Sequence, residues 1–200
     1  MRRSTAIRQL VEVADAANEL LAGRSDDFPM PLVEMWVAGE LLDRDPELDH
    51  GDVVLLYDLR PGELPWLALH PTADWIAREL RLGKRPILWV DRPAAWPAWN
   101  CRHARVARFW TARDGLDEPV IEALRSGTPP EVIVPSTDAF VAQCHVELAV
   151  AKAHLQSIVG RYWDHDWRRA HRHVTAPEDH LWRAAQALLE LDAAIVSRTA

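Results

Sequence analysis

The chain has 200 residues, 48% of them apolar, enough for one substantial core with helical additions. Its net charge of −7 argues against general nucleic-acid binding, and its two cysteines, Cys101 and Cys144, lack metal or redox spacing. No window approaches the ~18–20 uninterrupted apolar residues of a membrane span, so a reduced, cytoplasmic setting without a membrane partner is expected.

Residues 4–22 read as an amphipathic helix rather than a signal peptide. Ile7, Leu10, Val11, Val13, Ala14, Ala17, Leu20 and Leu21 form its stripe, Arg8, Glu12, Asp15 and Glu19 interrupt it, and Gly23 stops it. An apolar strand near 31–38 ends at Gly39, an acidic loop spans 39–51, and a second apolar strand runs over 52–59. After Pro61, Gly62 and Pro65, a helix of about 72–82 is expected, closed by Gly83. Pro86–Val90 reads as a short strand ending at Asp91, and the following DRPAAWPAWN as loop. Residues 102–111 read as a strand, although Arg102, Arg105 and Arg108 also recur at helical spacing. A helix over 116–125 and a minor strand over 132–134 precede helices of about 137–160, 161–173 and 177–198.

This order predicts an α+β fold: a small mixed sheet flanked by helices in a head of residues 1–135, then a three-helix tail over 136–200. Only Lys84 and Lys152 are lysines among 23 basic residues, a bias typical of a high-GC bacterial genome. The ten tryptophans read as core and interface anchors, with Trp96 and Trp99 in their Pro-rich loop as the alternative stacking platform. From Asp26 to Glu63 the net charge is −9, and from Arg78 to Arg113 it is +7. Two such segments suit a metal and a phosphate if they line one cleft, and are two solvated faces otherwise.

A strand, a glycine turn and a carboxylate at the mouth of the next strand resemble the minimal nucleotidyltransferase superfamily. On this chain the resemblance covers about residues 4–115. It implies that Gly39 and Glu40 receive a nucleotide, with Glu40 in place of the family's serine. Asp52 and Asp91 would be catalytic carboxylates holding Mg²⁺, with His50 at the first metal position where the family has a carboxylate. Arg92 or Arg102 would neutralise phosphate charge. Glu40 and His50 depart from the pattern, because hard cations prefer oxygen ligands and a carboxylate repels phosphate. The expected object is therefore a degenerate relative with a binding or regulatory role toward a nucleotide or protein, dimeric through its Trp-containing tail. The alternative is an active Mg-dependent nucleotidyltransferase.

Some such relatives pair with helical RNase-type partners bearing an Arg and a His four to six residues later; Arg168 and His173 fit that spacing. Six histidines fall in the tail: His145, His154, His165, His171, His173 and His180. They offer a second alternative, a metal-dependent enzyme, yet no i, i+3 or i+4 pair occurs within one tail helix. Cys101, flanked by Arg102 and near Arg105, is a candidate thiolate. There is no P-loop, GxGxxG or GxSxG.

Overall fold

The computed structural model describes residues 1–23, 30–172 and 174–199. Helix α1 (Arg3–Ala22) buries Ala6, Ile7, Leu10, Val13, Ala14 and Ala17, the stripe its periodicity predicts. Strands β1 (Leu32–Ala38) and β2 (Gly51–Tyr57) follow, joined through a 3₁₀ turn at Gly39–Leu42. Helix α2 (Ala73–Glu79) leads to β3 (Ile87–Pro93), β4 (Val106–Thr111) and the two-residue β5 (Gly115–Leu116). Helix α3 (Glu118–Ser126) is capped by Asp117, whose carboxylate accepts from the Val120 amide, and it ends at left-handed Gly127. The tail comprises α4 (Thr137–Arg161), α5 (His165–His171) and α6 (Pro177–Thr199).

The five strands form one mixed sheet in the order β3-β2-β1-β4-β5. Only β2 and β3 run parallel, and α2 makes their crossover. The fold is thus α+β, with helices over the sheet and a helical C-terminal region. The expected strand at 132–134 is reduced to a single bridge between Ile133 and Val106. β5 was not expected at all.

Side-chain alternation separates two cores. Val53, Leu55 and Tyr57 of β2 point to the layer containing α1, with Leu10, Ile76 and Phe109. Val54 and Leu56 point the other way, with Trp36, Ala38 and Val106. That second face is covered by the 94–104 loop through Ala98 and Trp99. The α4–α6 hairpin in turn covers the loop, through Trp66, Phe140, Cys144, Ala187 and Leu191. A further cluster of Ile158, Trp167 and Ala184 closes the far end of the hairpin against α5.

Trp96 and Trp99 are anchors in this stack, not an open platform. Trp96 is buried, and Trp99 lies against Phe140 with ring centroids 6.0 Å apart. The acidic and basic segments also meet directly: Arg105 pairs with Asp43 and Arg108 with Glu34, each at 3.0 Å. Their charges neutralise each other across β1 and β4 instead of lining opposite walls of an empty cleft.

Candidate functional site

Asp52 opens β2 beside the last residue of β1, Ala38, and beside Leu88 of β3. Gly39 follows at φ +63°, and a Cβ there would collide with the Asp52 carboxylate. The glycine is therefore required by the turn and by Asp52 together. His50 Nε2 lies 3.4 Å from Asp52 Oδ1, and His103 Nε2 lies 3.8 Å from the same oxygen. Arg102, Leu88 and Trp89 help close a cavity of about 190 Å³ around them.

His103 reaches this point because buried Asn100 ties the preceding loop. Its Oδ1 accepts from the amides of Arg102 and His103 at 3.0 and 3.1 Å, and its Nδ2 donates to Ala98. Burial raises the pKa of Asp52, and the two imidazoles oppose that shift. Burial lowers the pKa of His103, which Asp52 opposes. A carboxyl whose pKa is raised, beside the His103 imidazole whose pKa is lowered, can share and relay a proton. They can equally hold a small ligand that donates and accepts hydrogen bonds. At about 190 Å³ the cavity is below the roughly 300 Å³ at which ligand pockets usually begin.

The other expected site residues go elsewhere. Parallel partners share a sheet face, and Asp91 pairs with Leu55 whereas Asp52 pairs with Leu88. Asp91 thus lies on the α1 side of the sheet and Asp52 on the tail side. The shared Mg²⁺ site of Asp52 and Asp91 is not formed, so the expected metal set with His50 is corrected to a His50–Asp52–His103 cluster. Two imidazoles beside one carboxylate do not suit Mg²⁺, which favours oxygen. Among the described residues no group of three or more His, Cys, Asp or Glu side chains is arranged to hold a metal ion.

Asp91 instead accepts a hydrogen bond from the Tyr57 hydroxyl at 3.2 Å, and burial pushes its carboxyl up to about 7. Between pH ~4 and ~7 the folded chain then holds a proton that the unfolded chain has lost, so stability falls as pH rises. Asp91→Asn removes that slope. Discounted for partial exposure, it is expected to stabilise the protein by about 1–2 kcal/mol at pH 8 and by little at pH 4. Thermal melts at the two pH values check this; a variant less stable at pH 8 contradicts it.

Arg92 and Arg102 are not free to neutralise phosphate. Arg92 donates to both Glu147 carboxylate oxygens, at 3.0 and 2.7 Å, and its Nε donates to Pro97 O at 2.9 Å. Both side chains are only 1% exposed. Trp66 and Trp96 flank the guanidinium, each centroid 5.6 Å away. Arg102 grips Glu190 of α6 at 2.8 and 2.7 Å, and the Trp66 indole N–H donates to that same carboxylate at 3.1 Å. Glu40 is exposed and accepts from the Asp49 amide at 3.1 Å, so it caps the acidic loop. Cys101 is not a thiolate: burial drives its pKa upward, and burial pushes Cys144 up to about 11.

In the tail, His154, His171 and His180 converge from three helices. His145 and His165 are exposed. Arg168 is held by Glu178 at 3.0 Å and lies over Tyr162, whereas its expected partner His173 is outside the described residues.

Sequence reasoning passed over His103, Glu147 and Glu190. For Glu147 a signal existed, because it falls on the same helical stripe as Phe140, Cys144, Ala151 and Ile158, where a carboxylate demands a buried cation. No local signal marks His103, whose role depends on strands far away in the chain.

Fold and site together define an α+β protein whose helical hairpin is locked onto a sheet by two arginine–glutamate pairs, beside a small His–Asp–His cavity. Over residues 1–196 the chain matches the family described as a domain of unknown function (DUF7711), and it belongs to that family. No curated protein and no solved structure matched it. Among the described residues no helix is long and apolar enough to cross a membrane.

Proposed function

We propose that this is a cytoplasmic binding or regulatory protein, built on a nucleotidyltransferase-like head that does not carry out nucleotidyl transfer, and that it works as a homodimer. The observation that carries this reading is the commitment of Arg92 and Arg102 to tail carboxylates. The cations that would meet phosphate beside Asp52 instead hold the hairpin in place. The hairpin then presents its outer face to a partner. On α6, Trp182, Leu189 and Val196 are 62%, 66% and 58% exposed at spacings of seven, a seam suited to another helix. Asp179 and Arg198 lie at nearly equal distances on either side of Leu189. An antiparallel second copy would therefore set Trp182 against Val196 and Asp179 against Arg198.

Two measurements test the reading. Incubation with Mg²⁺ and nucleoside triphosphates is expected to release no pyrophosphate; Mg-dependent turnover that Asp52→Asn abolishes would restore the transferase alternative. Light scattering is expected to give twice the 22.7 kDa chain mass, and Leu189→Glu to give a monomer with unchanged helix content. A wild-type chain that stays monomeric at all concentrations refutes the dimer.

A further inference from the structure

A roomier cavity lies away from the His–Asp–His cluster. It is a groove of about 930 Å³ between the start of α1, the loop before β2 and the end of α3. That volume is within the ~300–1,000 Å³ typical of small-molecule sites. Five arginines line it: Arg2, Arg3, Arg8, Arg44 and Arg125. In a chain of net charge −7, such a local surplus of guanidinium groups is not a by-product of composition.

The arginines differ in their commitments. Arg3 is structural, donating to Leu124 O and Asp43 O. Arg8 and Arg125 meet Glu12 and Glu122 at 3.6 Å, loose exposed pairs that exchange readily for a better anion. Arg2 and Arg44 are exposed, and neither side chain has an ion pair or hydrogen bond among the described residues. Two carboxylates also line the groove. Glu12 is held at 3.1 Å by Arg85, whose side chain is only 8% exposed, and exposed Glu47 sits across a backbone bridge from Arg2. The floor is apolar, made of buried Ile7 and half-buried Val11, with exposed Pro46 beside them.

We propose that this groove binds a small organic phosphate, its phosphate group held by Arg2, Arg44 and the exchangeable Arg8 and Arg125, and its carbon body resting on Ile7, Val11 and Pro46. Guanidinium forks match phosphate oxygens two at a time, which a hydrated lysine does not do. The apolar floor separates an organic ester from free phosphate. This inference is independent of the function proposed above, since none of these residues belongs to the His–Asp–His cavity or the α6 seam.

Calorimetric titration with phenyl phosphate, inorganic phosphate and phenol tests it on the full chain. Phenyl phosphate is expected to bind about tenfold more tightly than inorganic phosphate, with phenol not binding. Arg2→Glu with Arg44→Glu is expected to weaken phenyl phosphate at least about tenfold while melting temperature and circular dichroism stay unchanged. Neither side chain has a partner to lose, so misfolding does not cloud the result. Leu189→Glu should leave the affinity as it is. The proposal is overturned if phenyl phosphate fails to bind at about 10 mM, if the double variant binds it as well as wild type, or if inorganic phosphate binds as tightly. Binding of an oligonucleotide in place of phenyl phosphate would also overturn it.

Discussion

Glu147→Ala is expected to be the most damaging single substitution in the protein. It leaves the Arg92 guanidinium charged at 1% exposure, between Trp66 and Trp96, with only Pro97 O and no carboxylate. Removing one member of a buried pair costs about 3–5 kcal/mol, because the remaining charge keeps its full desolvation penalty. For a chain of this size that corresponds to a fall in melting temperature of roughly 6–20 °C. Arg92→Ala should cost a similar amount, since Glu147 would retain only Gln143 at 3.1 Å. The double substitution Arg92→Met with Glu147→Leu is expected to recover most of the loss, because two apolar side chains of similar volume leave no charge uncompensated. Denaturant unfolding of Arg92→Met alone, Glu147→Leu alone and the two together completes the cycle. Additive losses in the double variant would mean that the pair is not the coupling between sheet and hairpin. By contrast, Arg102→Ala should cost less, about 1 kcal/mol, because that pair is 45% exposed on the arginine side.

Mild acid should loosen the far end of the hairpin before the sheet. His154 of α4, His171 of α5 and His180 of α6 gather around Trp167. His171 stacks on the indole at 4.4 Å and meets His180 edge-on at 5.3 Å. His180 is 7% exposed, and its Nε2 has no hydrogen-bond partner among the described residues. Burial lowers the pKa of both His154 and His180, and neighbouring imidazoles, Arg161 and Arg183 lower it further. Asp179, together with a hydrogen bond that the His180 ring donates to the His171 backbone, acts the other way on His180.

The sign follows from proton counting. The unfolded chain binds protons near pH 6.5, whereas the folded chain resists them, so the stability is whole above pH ~6.5 and is lost as pH falls through the lowered folded values. Hydrogen exchange at pH 7.5 and 5.0 should therefore show faster exchange at the lower pH, after correction for intrinsic rates, in α5 and the adjoining ends of α4 and α6. Strands β1 and β2 should remain protected. His180→Phe keeps an aromatic ring against Trp167 without a titrating nitrogen. It is expected to abolish much of the pH dependence and to stabilise the cluster at pH 5 by about 1–2 kcal/mol. Equal protection of α5 at both pH values in the native protein contradicts this account.

What the amino-acid order made legible was whatever depends on local periodicity. The stripe from Ile7 to Ala17 defines α1, and the continuous apolar runs of β1 and β2 identify strands buried on both sides. Pro177 marks the start of α6, whereas α5 begins at His165 behind an Asp164 cap and not at 161, because α4 runs through Gly160 to Arg161. The site was harder, because it depends on register. A shift of one residue moves a strand's side chains to the other face, and no local feature fixes which neighbour Asp91 faces. It pairs with Leu55, and so is cut off from Asp52 by the thickness of the sheet. Arg92 lies on the Asp52 face, yet is four residues further along, about 13 Å. Its partner is 55 residues away in sequence, and that of Arg102 is 88 away. Only Glu147, as a charge on an apolar stripe, could have revealed such a distant demand. His50 and Asp52 were found together because they are two residues apart at the start of β2, and His103 was missed because it is far away in the chain.

The two margins of the sheet bear on how the protein stays dispersed in a crowded cell. One margin is β5, only two residues long, too short to template a foreign strand. The other is β3, seven residues long and beginning just after Pro86, with Pro93 as its last residue. Proline cannot donate to a ladder, so any chain that tries to extend the sheet there meets a blocked end on both sides. Exposed Lys84 stands at its entrance, adding charge that repels another copy of the same edge. The sheet therefore ends where it should, with neither margin offering a strand edge whose pairing could continue without limit.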